Sequence, residues 1–355
     1  MDAPGVSILI LNWNGWRDTI ECLESLRQVD YPNYEIILID NGSSDDSVPR
    51  IREYCEKERR IRSNRSSSPS DIAPVEIYEP PEESVEIGDK TLDRKFPPDR
   101  GLKLILNKEN YGFAEGNNIG IRHVLNSTAS HYVLLLNNDT VVRPDFLARL
   151  VERCEGDQSV GVAGPKTYFY DCAGRKDVLS FAGGKVNLGR GDAPHVGIGE
   201  VDRGQYDVPR EVDYAEGSCF LARVEAIRKV GLLDLTFMSY WEESDWCMKA
   251  RRAGYKVMYV PEAVIWHKVA RSQLGSTRDY LMTRNMFWFE KKYASRLQFA
   301  TFLVHFALWT PLRLAKLACS RNYGAIASVC RGTIDGLRRR DTHERLNQIQ
   351  SKSHG

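Results

Sequence analysis

The chain has 355 residues, room for one large α/β domain with an appendage or for two ordinary domains, and too many for a disulfide-stapled mini-protein. At 42% hydrophobic, 10% aromatic and 27% charged residues it is neither a wholly disordered chain nor a polytopic membrane protein. The net charge of +1 removes nucleic-acid binding by overall basicity, yet residues 268–355 hold 16 Lys and Arg against 5 Asp and Glu, so that tail carries +11 and residues 1–267 carry −10.

Val6 to Leu11 reads as a strand, Ile20, Leu23 and Leu26 as one face of a helix, and Ile36 to Ile39 as a second strand. This order predicts a parallel sheet whose strand ends gather the ligand-binding loops. Leu102 to Leu106, Tyr132 to Leu136 and Val160 to Ala163 read as further buried strands, with helices opening at Phe113 and Pro144. From about residue 56 to residue 100 the rhythm breaks. Ser66, Ser67 and Ser68, several prolines and many charges replace periodic apolar residues, as in a surface insertion. From Asp171 to Val208 the chain is glycine-rich and irregular, and order returns in a strand at Ser218 to Ala222, a helix from Glu242 to Ala253 and a strand from Lys256 to Val260. Beyond His267 the pattern is mostly helical.

The longest apolar run, Phe299 to Leu312, has 14 residues and contains Thr301, His305, Thr310 and Pro311. It is short for a membrane-spanning helix, which needs about 20 apolar residues. Eight cysteines lack CxxC spacing and no basic stretch precedes the apolar run at Val6, which predicts a reduced, cytoplasmic chain without structural zinc or signal peptide.

Five places carry chemistry. The strand ending at Ile39 delivers Asp40-Asn41-Gly42-Ser43-Ser44-Asp45, an acid and small residues suited to a nucleotide, or else a plain turn with Asp45 as helix cap. Asn12-Trp13-Asn14-Gly15 ends the first strand in the same way. Asn137-Asn138-Asp139 follows a very apolar strand, where a carboxylate is costly unless paired or bound to a cation; capping of the next helix is the alternative. Trp241-Glu242-Glu243-Ser244-Asp245-Trp246 places three acids in a helix's first turn, with Glu242 and Asp245 on one side and Glu243 on another. His267 closes the run Val264-Ile265-Trp266.

Taken together, VSILILNWNG, YEIILIDNGSSDDS, LNKENYGFAEGNNIGI, YVLLLNNDTVVRPDFL, EGSCFLARVEAI and YWEESDWCMKARRAGYKVMYVPEAVIWH resemble a family 2 glycosyltransferase of the GT-A fold, close to its rhamnosyltransferase-like members. The resemblance spans Val6 to His267, apart from the insertion and the stretch between Asp171 and Val208. It implies an α/β, Rossmann-like domain over residues 1–267 with a mostly parallel central sheet flanked by helices, followed by a helical, basic extension over residues 268–355. It implies a nucleotide-sugar donor, with Asp40 near the base, Asn12, Asn14 and Ser43 lining the pocket, and Asn110, Gly112, Asn117 and Asn118 forming a further wall. Asn137 and Asp139 match the ends of the DxD motif. Asp139 and His267 are then the ligands of a divalent cation, Mn²⁺ or Mg²⁺, Asn137, Trp241 and Glu242 contact the substrates, and Glu243 is the general base of a single, inverting displacement.

The acceptor implied is a glycan or a lipid-linked glycan, and the site of action the inner face of the cell membrane. Arg313, Lys316, Arg321 and Arg338-Arg339-Arg340 around the apolar run suit a helix on an anionic membrane surface, or a hairpin buried in this chain or against a second subunit. Two rivals remain at this point: a nucleotidyltransferase, which would want a glycine-rich phosphate loop bearing Arg or Lys after the first strand, and a non-catalytic sugar-nucleotide-binding protein, which would not need Glu243.

Overall fold

The apolar runs of the first half become the centre of one sheet. The computed structural model describes residues 3–63, 76–78, 102–269 and 275–338. Its elements in chain order begin with β1 (Val6–Asn12), α1 (Trp16–Leu26), β2 (Tyr34–Asp40), α2 (Ser47–Ser63), β3 (Glu76–Tyr78), β4 (Leu102–Leu106) and α3 (Gly112–Ser127). There follow β5 (Tyr132–Asn137), β6 (Thr140–Val142), α4 (Phe146–Gly156), β7 (Val160–Phe169), β8 (Leu179–Phe181) and β9 (Arg210–Glu211). The last are β10 (Cys219–Arg223), α5 (Val224–Val230), α6 (Glu242–Arg252), β11 (Lys256–His267), α7 (Gly275–Tyr293), α8 (Arg296–Cys319) and α9 (Tyr323–Arg338).

Among the described residues the strands form one sheet in the order β3-β4-β2-β1-β5-β10-β7-β11-β6, with β8 on β7 and β9 on β11. The five strands from β3 to β5 are parallel. β10 then enters antiparallel between β5 and β7, and β7 and β11 are parallel again. Both faces of β1 and β2 are covered, which is why they read as unbroken apolar runs rather than alternating ones. Ile8, Ile10, Leu38, Leu134 and Leu136 face one layer with Leu23 of α1 and Phe146, Leu147 and Leu150 of α4. Leu9, Ile37, Ile39, Val133 and Leu135 face the other, with Ile121 and Val124 of α3 and Trp246, Cys247 and Ala250 of α6.

Three elements differ from the sequence expectation. The stretch expected as an insertion after residue 56 continues α2 to Ser63 and adds β3 to the edge beside β4; the rest of it lies outside the described residues. Arg, Glu and Lys are strong helix formers without an apolar stripe, so a reading of apolar period alone stops the helix early. β11 runs on from Val260 to His267, because a register irregularity between Val260 and Val264 carries the chain past Pro261 while it stays paired with β7. The apolar run after Phe299 is the middle of the 24-residue α8, a helix long and apolar enough to cross a membrane by length and composition.

The tail is two structures in one. α7 is buried: Trp288, Phe289 and Tyr293 pack with Phe237 and Trp241. α9 lies against it with small residues at the contact, since a Cβ on Gly332 would meet the Tyr280 carbonyl oxygen at 2.6 Å and one on Gly336 would meet Phe287 Cβ at 2.8 Å. Tyr280 also donates to Asp335 Oδ2 at 2.9 Å. α8, started by a capping box of Ser295 and Gln298, fully buries only Phe302 and leaves Leu297, Val304, Leu308, Trp309 and Leu312 exposed. Arg339 and Arg340 lie outside the described residues.

Candidate active site

The carboxyl ends of β1, β2 and β5 meet, as a parallel sheet requires. Asn12 ends β1 directly beside Asp40 at the end of β2. Asp40 is 2% exposed and accepts from Asn12 Nδ2 at 2.7 Å, from the Ser43 backbone N–H at 2.9 Å and from Ser43 Oγ at 2.7 Å. Asn14, in the left-handed region at φ 51°, donates its N–H to Ser43 Oγ at 2.9 Å and accepts the Ser44 N–H at 2.8 Å. Asp45 accepts the Ser47 N–H at 2.9 Å and so closes the turn before α2, whose cap position falls to Asp46 rather than to Asp45, since Asp46 supplies the first helical carbonyl to the Arg50 N–H at 3.0 Å. Asn12, Asn14, Asp40 and Ser43 are thus one hydrogen-bonded wall.

Asn110 joins that wall through Asn41, whose Nδ2 donates to Asn110 Oδ1 at 2.9 Å and to the Gly112 carbonyl at 3.1 Å. Gly42, at φ 68°, is required here: a Cβ would lie 2.5 Å from the Glu109 backbone. Asn117 and Asn118 are buried on α3. Asn117 donates to the Phe113 carbonyl at 2.9 Å. Asn118 pairs both ends of its amide with the Leu233 backbone, at 2.9 and 3.0 Å, and so ties α3 to the loop after α5.

The second cluster is assembled by strand register. β6 pairs antiparallel with β11 so that Thr140 faces His267, which brings His267 beside Asp139. His267 Nε2 is 3.1 Å from Asp139 Oδ1, and both residues are less than a tenth exposed. Asn137 Nδ2 lies 3.5 Å from the same His267 nitrogen. Asp139 does not cap the next helix, since Asp145 occupies the N-cap position of α4. Glu216 closes the cluster from the far side, with Oε1 3.7 Å from His267 Nδ1 and Oε2 accepting from Ser218 Oγ at 2.9 Å. Burial alone would discharge His267, but Asp139 and Glu216 outweigh it and push its pKa up to about 10. Both carboxyls lie below the usual range because, against burial, the imidazolium holds them ionised.

The sequence reading gave Glu216 no role. Its position depends on β10 pairing with β5, which sets the Ser218 carbonyl on the Asn137 N–H at 3.0 Å. The available signal was a Glu-Gly-Ser directly before a buried apolar strand.

The acidic helix start completes the site. Trp241, at φ 77°, is the N-cap residue of α6, and no side chain caps the helix. Asp245 is fully buried and braced instead: Lys292 Nζ lies 2.6 Å away, Lys249 Nζ 3.2 Å, and the Tyr293 hydroxyl donates at 2.7 Å. Glu242 is 4% exposed, and burial followed by the neighbouring Glu243 charge drives its pKa far up. Glu243 is half-buried, and burial raises its pKa to about 7 although backbone N–H groups at the helix start pull the other way. It is less buried than Glu242 and Asp245, and its carboxylate is poised near neutrality. Gly217 links it to the second cluster: a Cβ there would lie 3.9 Å from Glu243 Cγ and 3.6 Å from the Phe113 ring.

Residues 7–70 match the family described as Glycosyl transferase family 2, and residues 90–287 match that described as Glycosyltransferase like family 2. The chain belongs to glycosyltransferase family 2. Among curated relatives, the transferase is 24% identical over 244 residues to the low-salt glycan biosynthesis hexosyltransferase Agl10 of Haloferax volcanii, covering 65% of this chain and 74% of that one. It is 23% identical over 220 residues to the dTDP-rhamnosyl transferase RfbF of Shigella flexneri, covering 57% and 67%. Among solved structures, the mannosyltransferase PcManGT from Pyrobaculum calidifontis in complex with GDP-Man and Mn²⁺ superposes with a TM-score of 0.54 at 14% identity, covering 96% of this chain and 90% of that one. S. aureus TarS 1-349 superposes with a TM-score of 0.52 at 15% identity, covering 94% and 80%. The GT-A fold is therefore shared, and this member of the family is an enzyme that moves a sugar from a nucleotide sugar.

Proposed function

We propose that this glycosyltransferase is inverting and cation-dependent, moving a hexosyl or rhamnosyl group from a UDP- or dTDP-sugar to a hydroxyl of a glycan or lipid-linked acceptor. The observation that carries the proposal is the meeting of two features at one sheet edge. One is Asp139, whose buried Oδ2 has no hydrogen-bond partner, facing His267; the other is Glu243, half-buried with an unpartnered Oε2. The first would hold a divalent cation once the cation has displaced the proton from His267 Nε2: a carboxylate oxygen and a neutral imidazole nitrogen suit manganese well and magnesium less well. Among the described residues no group of three or more His, Cys, Asp or Glu is placed to hold a metal ion, so the protein ligands of the cation would be Asp139 and His267 alone. When bound, the cation neutralises the charge that grows on the departing nucleoside diphosphate.

Glu243 accepts the acceptor hydroxyl's proton as that oxygen bonds to the anomeric carbon and the sugar–phosphate bond breaks. The proton ends on Glu243 and the electron pair on the leaving diphosphate. The wall of Asn12, Asn14, Asp40, Ser43 and Asn110 holds the nucleotide. A Glu243 whose Oε2 has no partner disfavours a non-catalytic binding protein, and Asn12-Trp13-Asn14-Gly15 lacks the Arg and Lys a nucleotidyltransferase loop would use. A thermal-shift panel of UDP-, dTDP- and GDP-sugars with and without manganese tests the donor reading. A rise in Tm with one nucleotide class, larger with manganese, is expected; no shift with any of them contradicts it.

Asp40→Ala leaves Asn12 and Ser43 donors without their shared acceptor. It is expected to lower stability by about 1–3 kcal/mol and to weaken nucleoside diphosphate binding. Denaturant titration and calorimetry read the two effects separately, and wild-type affinity would remove Asp40 from the donor wall.

The apolar face of α8 is assigned to the inner surface of the cell membrane, with Lys316 and Arg321 beside it to meet anionic headgroups. Deleting the tail would strip α9 from α7, so the test is substitution of Leu308, Trp309 and Leu312 by Ser. This variant is expected to lose flotation with anionic vesicles while nucleotide binding is kept, and flotation of the wild type should weaken with salt. A wild-type protein that never floats but sediments as a dimer would place a second subunit on α8 instead.

A further inference from the structure

The stretch just before the acidic helix is held in a conformation that its residues disfavour. Met238, Tyr240 and Trp241 all sit in the left-handed region, at φ 64°, 67° and 77°, where a Cβ is crowded. Such strain persists only where the surroundings over-determine it. Here the surroundings are α7. Asn285, fully buried, points its Nδ2 at three successive parts of the loop: the carbonyls of Phe237 at 2.8 Å, Ser239 at 2.9 Å and Tyr240 at 2.8 Å. Arg284, 1% exposed, donates its Nη2 to the Thr236 and Phe237 carbonyls, each at 3.2 Å. Its Nε donates to Asn285 Oδ1 at 2.9 Å, which fixes the way the Asn285 amide faces. The guanidinium lies 4.2 Å from the centre of the Trp288 ring.

The loop's other side belongs to the donor wall. The Met238 carbonyl accepts the Ala114 N–H at 2.9 Å, and the Met238 side chain covers Gly112. The Trp241 carbonyl accepts the Asp245 N–H at 2.8 Å and so begins α6. Aromatic packing of Phe237, Trp241, Trp288, Phe289 and Tyr293 would join α7 to this loop without any polar group. A buried Arg-Asn pair adjoining such a cluster adds direction rather than adhesion.

We propose that Asn285, oriented by Arg284, is a positioning residue for Glu243: α7 clamps residues 236–241 and thereby aims the first turn of α6 at the acceptor. This rests on the reading of Glu243 as the base. The basic tail then has two separable parts, with α7 serving the chemistry and α8 facing outward.

The test uses the full chain and the nucleotide sugar that gives the largest thermal shift. Asn285→Asp is nearly isosteric and removes both donors; Arg284→Lys keeps the charge and loses the fork. Single-turnover transfer is expected to fall by roughly 10- to 100-fold in each, the scale of a misplaced catalytic group. Binding of the matching nucleoside diphosphate with manganese should stay near wild type. Amide exchange should quicken in residues 236–245 and not in β1 or β2. Normal turnover with only a lowered Tm would overturn the proposal, because the pair would then serve stability alone. Equal losses of turnover and nucleotide binding would overturn it too, as a collapse of the whole site. If Asn285→Asp does not fold, Arg284→Lys decides by the same criteria. Glu243→Gln is run alongside: if it turns over normally, the base reading falls and this proposal with it, whereas an inactive Glu243→Gln beside a normal Asn285→Asp sinks only the clamp.

Discussion

Glu243→Gln lowers single-turnover sugar transfer by on the order of 100-fold or more, with nucleoside diphosphate affinity near wild type. Glutamine keeps the size and hydrogen-bonding shape of the side chain but cannot take the acceptor's proton. The same substitution is expected to raise Tm at pH 8. Glu243 has a folded pKa raised by burial to about 7, so the stability tied to its protonated form is present below the ordinary glutamate value and lost as pH rises through 7. Glutamine never acquires that charge. Turnover by the wild type should rise with pH through the same region, because the base acts only when ionised. The neighbouring acids serve as controls. Glu242→Gln replaces a carboxyl that burial already holds neutral and leaves the chemical step close to wild type. Asp245→Asn loosens the contacts with Lys249, Lys292 and Tyr293 and costs about 3–5 kcal/mol of stability, the scale for breaking a buried ion pair. A dead Asp245→Asn with a stable fold, beside an active Glu243→Gln, would move the base to Asp245.

Chelation or Asp139→Ala removes transfer by on the order of 100- to 1,000-fold, the loss expected when the chief electrostatic stabiliser of a leaving group is withdrawn. Asp139 presents a buried oxygen without a hydrogen-bond partner beside His267. Manganese should restore the chelated enzyme at least as well as magnesium, and His267→Ala should narrow that difference by removing the nitrogen ligand. Full activity in excess EDTA would contradict cation dependence. Activity that needs the cation but ignores His267→Ala would leave Asp139 as ligand and return His267 to a structural pairing with Glu216.

The sheet was legible in the sequence for a definite reason. Parallel strands covered on both faces, such as Val6–Asn12 and Tyr34–Asp40, leave unbroken apolar runs whose polar ends mark the ligand edge. Asp40, Asp139 and His267 could be singled out because each ends or follows such a run. What could not be read are the contacts made by register and by packing between distant segments. Glu216 meets His267 only because β10 lies beside β5, and Asn285 meets Tyr240 only because α7 folds back over the loop before α6. Asn118 likewise gains a contact that its motif position did not show, since its amide bonds the Leu233 backbone through both its nitrogen and its oxygen. The helix ending at Ser63 was missed because its stability comes from residue propensity rather than from an apolar stripe.

The anomeric configuration of the product is the most direct measurement of a single displacement assisted by one base. The donor selected by thermal shift is turned over with manganese and an acceptor sugar, and the new linkage is assigned by proton NMR before it can equilibrate. Attack on the face opposite the leaving diphosphate predicts a product of inverted configuration. A product that retains the donor's configuration would contradict the mechanism, since retention requires a second displacement and a nucleophile for which Glu243 as base has no part.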